Sequence, residues 1–238
     1  MPTPELPGPP RHDPSGAAAR EHAARDGAPA QPALPPRVFL LSPASLGGVR
    51  GRRLLEGGGA TPLAERLRAG AGAPLAEVYT EISSLYFRGK LGYARRFANR
   101  PVSAPGVLAI TPCRGLVDVD APVTLADLRA FASTPIGPGE PAYLEALTAT
   151  ALMLRAALPE EGAVVLLGSI ASPKYVEPLG GVFGARLWIP KTFVGRGDMS
   201  RGGLLLRAVR EGRELEYVPA LATVRRGARP PRLGKLRG

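Results

Sequence analysis

This chain of 238 residues is poor in the side chains that most often carry metal or acid–base chemistry, with one cysteine and two histidines. The single thiol, Cys113, excludes a disulfide within the chain and a cysteine-rich metal site. His12 and His22 both lie in the first 36 residues, where the composition does not predict a fold. The remainder therefore has no histidine base, no histidine ligand and no Ser-His-Asp triad. We expect neither a metal nor a bound cofactor.

Long apolar runs are also missing. No segment approaches the length of a membrane span, and the start lacks the basic-then-apolar order of a secretory signal. We therefore expect no membrane partner and a cytoplasmic location.

The charge is strongly basic, with 31 Lys and Arg against 20 Asp and Glu and a net charge of +11. Such an excess favours anionic partners, namely nucleic acid or a phosphorylated small molecule. Nearly all of the cations are arginine. The abundance of Ala, Gly and Pro indicates a GC-rich coding sequence, to which we assign part of the arginine excess.

Two tails flank one predicted domain over residues 37–222. Residues 1–36 are rich in Pro, Ala and Gly and lack periodic hydrophobicity, so they are interpreted as disordered or as untranslated. Residues 223–238 carry six cations and no acid. This basic tail is typical of a disordered segment that holds phosphates without specificity or that only aids solubility.

The domain alternates short apolar runs with helical patterns, which predicts an α/β fold with a mostly parallel sheet and helices on both faces. Helix starts are indicated at Thr61-Pro62, at Thr124 with Asp127, and at Ser172-Pro173. The predicted strands are Val38–Leu41, Val107–Ile110, Val164–Leu167, Leu187–Ile189 and Leu215–Val218. The other predicted helices are Ser83–Ala98, Glu140–Leu158 and Ser200–Glu211.

A ligand of such a sheet binds beyond the carboxyl ends of its strands. The segments that follow the predicted strands are small and polar with an occasional cation, as an anion-binding crevice requires. They are Ser42–Ser45, Thr111–Gly115 (which contains Arg114), Gly168–Ser172 and Pro190-Lys191.

The segment GRGDMSRGG, Gly195–Gly203, precedes the last predicted helix. Its glycines allow backbone N–H groups to approach a ligand, and Arg196 and Arg201 could hold a phosphate. Alternatively, Asp198 or Ser200 caps the helix and the glycines permit close packing.

Residues 78–97 interleave aromatic and basic side chains, beginning with Tyr79. Such a segment can stack bases and pair phosphates. We favour the alternative, an amphipathic helix with aromatic residues inward and cations solvated.

Three further residues could carry chemistry. Cys113 could be a nucleophile, with its thiolate stabilised by Arg114, but a buried, inert thiol is the favoured interpretation. Asp118 and Asp120 could be acid–base groups or metal ligands, but solvated loop carboxylates are favoured.

Five segments, in order, resemble the YaaA-type peroxide-stress proteins. They are LLSPAS (Leu40–Ser45), VYTEISSLYF (Val78–Phe87), AITPCRGLVDVDAPVTL (Ala109–Leu125), SIASPKYVEPL (Ser169–Leu179) and GRGDMSRGGLLLRAV (Gly195–Val209). The chain departs from the family pattern at Ser45, where the family usually has Lys, at Arg114 in place of Tyr, and at Asp198 in place of Leu.

The resemblance implies a compact α/β fold, a DNA-binding cleft and a role in limiting oxidative damage. It also implies a set of site residues: Ser42, Tyr79, Gly115, Tyr175, Arg196, Ser200 and Arg201.

Two functional hypotheses follow. The first is a nucleic-acid-binding protein that holds phosphates through Arg196, Arg201, Lys174, Lys191 and the basic tail. The second is an enzyme acting on a nucleobase, nucleotide or phosphorylated small molecule, in which Asp118, Asp120 or Asp198 supplies acid–base chemistry. A scaffold that binds only protein is a third interpretation.

Overall fold

The computed structural model describes residues 35–59, 61–83 and 85–231. Most of the predicted N-terminal tail, residues 1–34, and the last part of the basic tail, residues 232–238, lie outside the described residues. Residues 224–231 are described and form neither helix nor strand.

A six-stranded sheet has the strand order β4-β3-β1-β6-β7-β8. Its four inner strands are parallel, and each edge strand is antiparallel to its neighbour. The fold is thus α/β with a mostly parallel sheet, as predicted. The strands are β1 (Arg37–Leu41), β3 (Val107–Thr111), β4 (Gly115–Asp118), β6 (Ala163–Leu167), β7 (Leu187–Pro190) and β8 (Tyr217–Pro219). Two short strands, β2 (Ala73–Pro74) and β5 (Pro122–Val123), form a separate antiparallel pair.

The central strands are buried along their whole apolar length. Four consecutive residues of β1, Val38–Leu41, have no exposed surface. Since successive side chains of a strand point to opposite faces, both faces of β1 are shielded from solvent. That helices cover both faces of the whole sheet stays a prediction.

Eight α-helices are present among the described residues. The predicted caps form: Thr61 Oγ1 accepts from Ala64 N at 3.3 Å, and Thr124 and Asp127 make a reciprocal capping box. The helices are α1 (Val49–Leu55), α2 (Pro62–Arg68), α3 (Leu75–Ser83), α4 (Leu85–Phe97), α5 (Leu125–Ser133), α6 (Pro141–Ala157), α7 (Pro173–Phe183) and α8 (Asp198–Glu211). None of the helices described has the length and apolar character needed to cross a bilayer.

Helices α4 and α8 cross in close contact because both have glycine at the crossing point. A Cβ atom on Gly89 would lie 2.9 Å from the carbonyl oxygen of Gly202, and one on Gly202 would lie 3.1 Å from the Cα atom of Tyr86. Real Cβ atoms rarely come so near to backbone. The two glycines thus bring the second turn of α8 against the first two turns of α4.

Candidate functional site

A pocket of about 470 Å³ lies at the carboxyl edge of the sheet, where loops from several strands meet. The loops after β1, β3 and β6 contribute Ser42, Pro112 and Ser169, in agreement with the general rule for open α/β sheets. Helices α3, α4, α5, α7 and α8 complete the wall. Besides those three residues, the lining comprises Pro43, Ala44, Ser45, Leu46, Gly47, Tyr79, Ser83, Tyr86, Phe131, Ala132, Thr134, Ile136, Lys174, Tyr175 and Asp198.

The pocket wall is polar and aromatic rather than strongly basic. Among the described residues that line it, only Lys174 and Asp198 carry a charge, and their charges are opposite. Three tyrosines and four serines supply most of the remaining polar groups. A wall of this kind suits a small molecule with hydrogen-bonding groups better than the phosphates of a polynucleotide.

Lys90 lies directly behind the pocket wall and is 1% exposed. Its Nζ donates to the Ser42 carbonyl oxygen at 2.5 Å and lies 2.8 Å from Ser42 Oγ. The rings of Tyr86 and Phe87 flank it, with centroids 4.5 Å and 5.1 Å from Nζ. The amine is thus held against one pocket serine by two hydrogen bonds.

Burial lowers the pKa of the Lys90 ammonium to about 7, against the opposing influence of the Asp198 carboxylate. No carboxylate among the described residues forms an ion pair with Lys90. An ammonium buried without such a partner is destabilised relative to the neutral amine. Burial therefore favours the neutral amine, whose nitrogen lies 2.8 Å from Ser42 Oγ.

The interpretation of the basic residues of 78–97 as solvated cations is wrong for Lys90. Its position follows the helical spacing of the buried face, since Phe87, Lys90, Leu91 and Ala94 are all buried on α4. That spacing was visible in the sequence, but a lysine on an apolar stripe is usually a boundary residue. Here the amine instead bonds to Ser42 and lies over the rings of Tyr86 and Phe87.

Gly168 makes room for the Ser42 side chain. A Cβ atom on Gly168 would lie 2.8 Å from Ser42 Cβ and 3.1 Å from Ser42 Oγ. The backbone N–H of Ser42 also donates to the Leu167 carbonyl oxygen at 3.1 Å. The ends of β1 and β6 therefore hold Ser42 in one position.

Three tyrosines of the pocket wall are nearly or fully buried: Tyr79 is 0% exposed, Tyr175 4% and Tyr86 9%. The hydroxyl groups of Tyr79 and Tyr86 make no hydrogen bond within the described residues. Burial raises the pKa of all three, and Tyr175 raises that of Tyr79 further. All three are therefore protonated donors at neutral pH.

Arg201 is buried, and both of its terminal nitrogens donate within the protein, whereas its Nε has no hydrogen-bond partner among the described residues. Its guanidinium donates to the carbonyl oxygens of Gly168 and Phe193, each at 3.2 Å, and lies 3.5 Å from Asp198 Oδ1. The bond to Gly168 links the start of α8 to the loop after β6, which packs against Ser42. Arg201 itself does not line the pocket.

The other predicted cations lie elsewhere on the molecule. Arg196 donates to Ser200 Oγ at 3.2 Å and to the Pro231 carbonyl oxygen at 3.3 Å. Lys191 pairs with Glu216 at 2.9 Å, and Arg114 pairs with Asp127 at 3.4 Å. Of the predicted site residues, the pocket wall includes Ser42, Tyr79, Lys174 and Tyr175, and it does not include Arg114, Gly115, Lys191, Arg196, Ser200 and Arg201.

Gly115 has a structural requirement of its own. Its φ of +61° is a left-handed conformation, and a Cβ there would collide with the Ala146 carbonyl oxygen and Thr150 Oγ1 of α6. Leu116 N, one residue on, donates to Thr150 Oγ1 at 2.8 Å. Glycine therefore lets the β3–β4 turn lie directly on α6.

The remaining candidates for acid–base or nucleophilic chemistry lie outside the pocket wall. Asp120 pairs with Arg95 in an exposed position, and Asp118 accepts from Asp120 N at 2.9 Å. Cys113 is half-buried in the turn between β3 and β4. Asp198 does line the pocket, with a side chain that is 64% exposed.

No protein-family model, curated protein or solved structure matches this chain. The resemblance to YaaA-type proteins accordingly stays a prediction from the five sequence segments.

Proposed function

We propose that this protein is an enzyme that transfers or hydrolyses an acyl group of a small molecule, with Ser42 as nucleophile and Lys90 as its general base. The supporting observation is the buried amine, whose pKa is lowered to about 7 and which lies 2.8 Å from Ser42 Oγ. Serine–lysine pairs are a known alternative to the Ser-His-Asp triad. Such a pair needs no histidine in the folded region.

The reaction would proceed in two balanced steps. Neutral Lys90 accepts the Ser42 hydroxyl proton while Oγ forms a bond to the substrate carbonyl carbon. The tetrahedral intermediate then breaks its bond to the leaving group, which takes the proton from Lys90. In the second step water, or an acceptor hydroxyl, gives its proton to Lys90 and bonds to the acyl carbon, and the bond to Ser42 Oγ breaks as Lys90 returns the proton to Oγ.

The Lys90–Ser42 contact also has a purely structural interpretation, in which the amine satisfies the Ser42 carbonyl at the end of β1. Because an ammonium has three donors, that interpretation accounts for both contacts of Lys90. It does not account for the position of Ser42 in the pocket wall. The chemical interpretation uses both contacts and that position.

A panel of p-nitrophenyl esters with short acyl chains tests the proposal at pH 8. We expect hydrolysis by the wild-type protein and a loss of at least about 100-fold in kcat/KM for Ser42→Ala. Ser83→Ala is the matched control, because Ser83 lines the same pocket but is not bonded to Lys90. Equal rates in all three proteins, or none above background, would contradict the proposal.

Nucleic-acid binding is the second candidate. The observation that favours it is the described part of the basic tail, where Arg226 and Arg229 are exposed. Binding of this origin would be weak, indifferent to sequence and strongly dependent on salt. A role in limiting oxidative damage follows from the family resemblance alone, and peroxide survival of a deletion strain tests it.

Fluorescence anisotropy with single-stranded and duplex oligonucleotides separates the two candidates. If the tail alone binds, a chain that ends at Leu221 loses affinity while Lys174→Ala keeps it. If the crevice binds, Lys174→Ala loses affinity instead, because Lys174 is the cation of the described pocket wall. Binding that persists at high salt would contradict nucleic-acid binding through phosphates, whether by the tail or by the crevice.

A further inference from the structure

We propose that the hydroxyl groups of Tyr79, Tyr86 and Tyr175 form a cradle that binds a carboxylate of the ligand. This inference rests on the proposed function only in that both use the same pocket. It assigns a substrate class, small carboxylic acids or their derivatives with a free carboxylate.

Two of the three hydroxyl groups lack an acceptor within the described residues. Tyr79 and Tyr86 are at least nine-tenths buried, both line the pocket, and neither hydroxyl donates to an acceptor within the described residues. A buried phenol without an acceptor costs free energy, and buried hydroxyl groups almost always find one. Two such groups in one pocket wall point to an acceptor that the pocket receives from outside.

The other tyrosines show the usual behaviour. Tyr143, also fully buried, donates to the Lys174 carbonyl oxygen at 2.8 Å, and Tyr93 lies 2.6 Å from the Tyr217 hydroxyl. Neither Tyr93 nor Tyr143 lines the pocket. Unpaired tyrosine hydroxyls therefore coincide with the pocket rather than with burial itself.

All three tyrosines line the same pocket wall, and their hydroxyl groups interact electrostatically. Tyr175 raises the pKa of Tyr79, and Tyr86 raises that of Tyr175, in each case after burial. Because phenols near neutral pH are donors, three of them in one pocket wall suit a group with several acceptor oxygens. The Arg201 guanidinium lies beside Tyr86 and opposes the rise in the pKa of Tyr86, but a guanidinium can only donate, so the Tyr86 O–H has no acceptor there.

The charge of the pocket wall favours a single negative charge over two. Lys174 lies in the first turn of α7, whose N-terminus adds a partial positive charge, and Asp198 opposes both. A carboxylate matches this balance and the neutral donors. A phosphate dianion would lack a second cation in the described pocket wall.

Isothermal titration at pH 8 with benzoate, its neutral isostere benzamide, and inorganic phosphate tests the cradle. We expect benzoate to bind wild-type protein at least about tenfold more tightly than benzamide or phosphate. Tyr79→Phe should weaken benzoate binding by about tenfold and leave benzamide binding unchanged. Tighter binding of phosphate, or an unchanged benzoate affinity in Tyr79→Phe, would overturn the proposal.

Two further variants keep the result interpretable. Tyr79→Phe removes a hydroxyl without a described partner, so its unfolding midpoint without ligand should equal or exceed that of wild type. Tyr143→Phe, which removes a bonded hydroxyl, should lower it. Ser42→Ala should retain benzoate binding, so a failure of the cradle and a failure of the serine nucleophile give different results.

Discussion

Replacement of Lys90 by methionine tests the protonation state on which the chemistry depends. The ordinary lysine pKa of 10.5 applies to the unfolded chain, whereas burial lowers the pKa in the folded protein to about 7. Between these values the unfolded chain binds a proton that the folded protein does not. Because stability rises with pH wherever the unfolded state binds more protons, wild type should gain stability relative to Lys90→Met as pH increases.

The size of this gain follows from the two pKa values. Each pH unit between them contributes up to about 1.4 kcal/mol, and the curve flattens near pH 7. From pH 6 to pH 9 the wild-type free energy of unfolding should rise by roughly 2.5 kcal/mol more than that of Lys90→Met. Restricting the range to pH 9 avoids ionisation of tyrosines in the unfolded chain.

Urea unfolding of both proteins at pH 6, 7, 8 and 9 measures the difference. Groups other than Lys90 titrate in both proteins, so their contributions largely cancel in the difference between the two free energies of unfolding. A difference that is constant over the range would mean that the folded-state pKa of Lys90 is not lowered, and Lys90 would then remain a protonated ammonium that cannot act as a base at neutral pH.

Three other results are expected. Gly168→Ala should cost about 1–3 kcal/mol of stability and reduce ester hydrolysis, because its Cβ would lie 2.8 Å from Ser42 Cβ; unchanged activity would refute this. Gly89→Ala should destabilise the α4–α8 crossing in urea unfolding, whereas Gly92→Ala on the same helix, with nothing within 4 Å, should stabilise by about 0.5–1 kcal/mol. Hydrolysis should increase with pH to a plateau, with a midpoint near the Lys90 pKa of about 7, since the neutral amine is the base; a flat profile would argue against Lys90.

The sequence predicted the parallel core of the sheet well because its strands are continuous apolar runs. Four of the five predicted strands agree with β1, β3, β6 and β7 to within a residue or so. The fifth begins at Tyr217 rather than Leu215, and the Leu215 N–H instead donates to Tyr93 Oη at 2.8 Å. Leu215 and Tyr93 lie 122 positions apart in the sequence, so the local sequence pattern does not reveal their contact.

The elements that the sequence did not predict are short or of mixed composition. Helix α1 contains a glycine and three arginines in seven residues, and β4 has only four residues after a turn. Helix α8 begins at Asp198, with Gly197 as its N-cap, rather than at Ser200. Local propensity is too weak to place such elements without the packing that stabilises them.

The candidate site was predicted in location but not in chemistry. The strand-end rule placed a site beside Ser42, and the pocket lies there. Cations were expected to define it because arginine dominates the composition, yet Arg201 donates to protein carbonyls and Arg196 to the loop and tail. Lys90 bonds to Ser42 across 48 positions in sequence, a contact that no local pattern reveals.

Trapping of Ser42 by a fluorophosphonate, followed by mass spectrometry of the digested protein, tests the central claim most directly. The reagent loses fluoride when a serine oxygen attacks its phosphorus, so the adduct marks the nucleophile. We expect the adduct on Ser42 at pH 8, with labelling lost in Lys90→Met and retained in Ser83→Ala. Labelling of Ser42 that is as fast in Lys90→Met as in wild type, or no adduct on Ser42 at all, would contradict a lysine-activated serine.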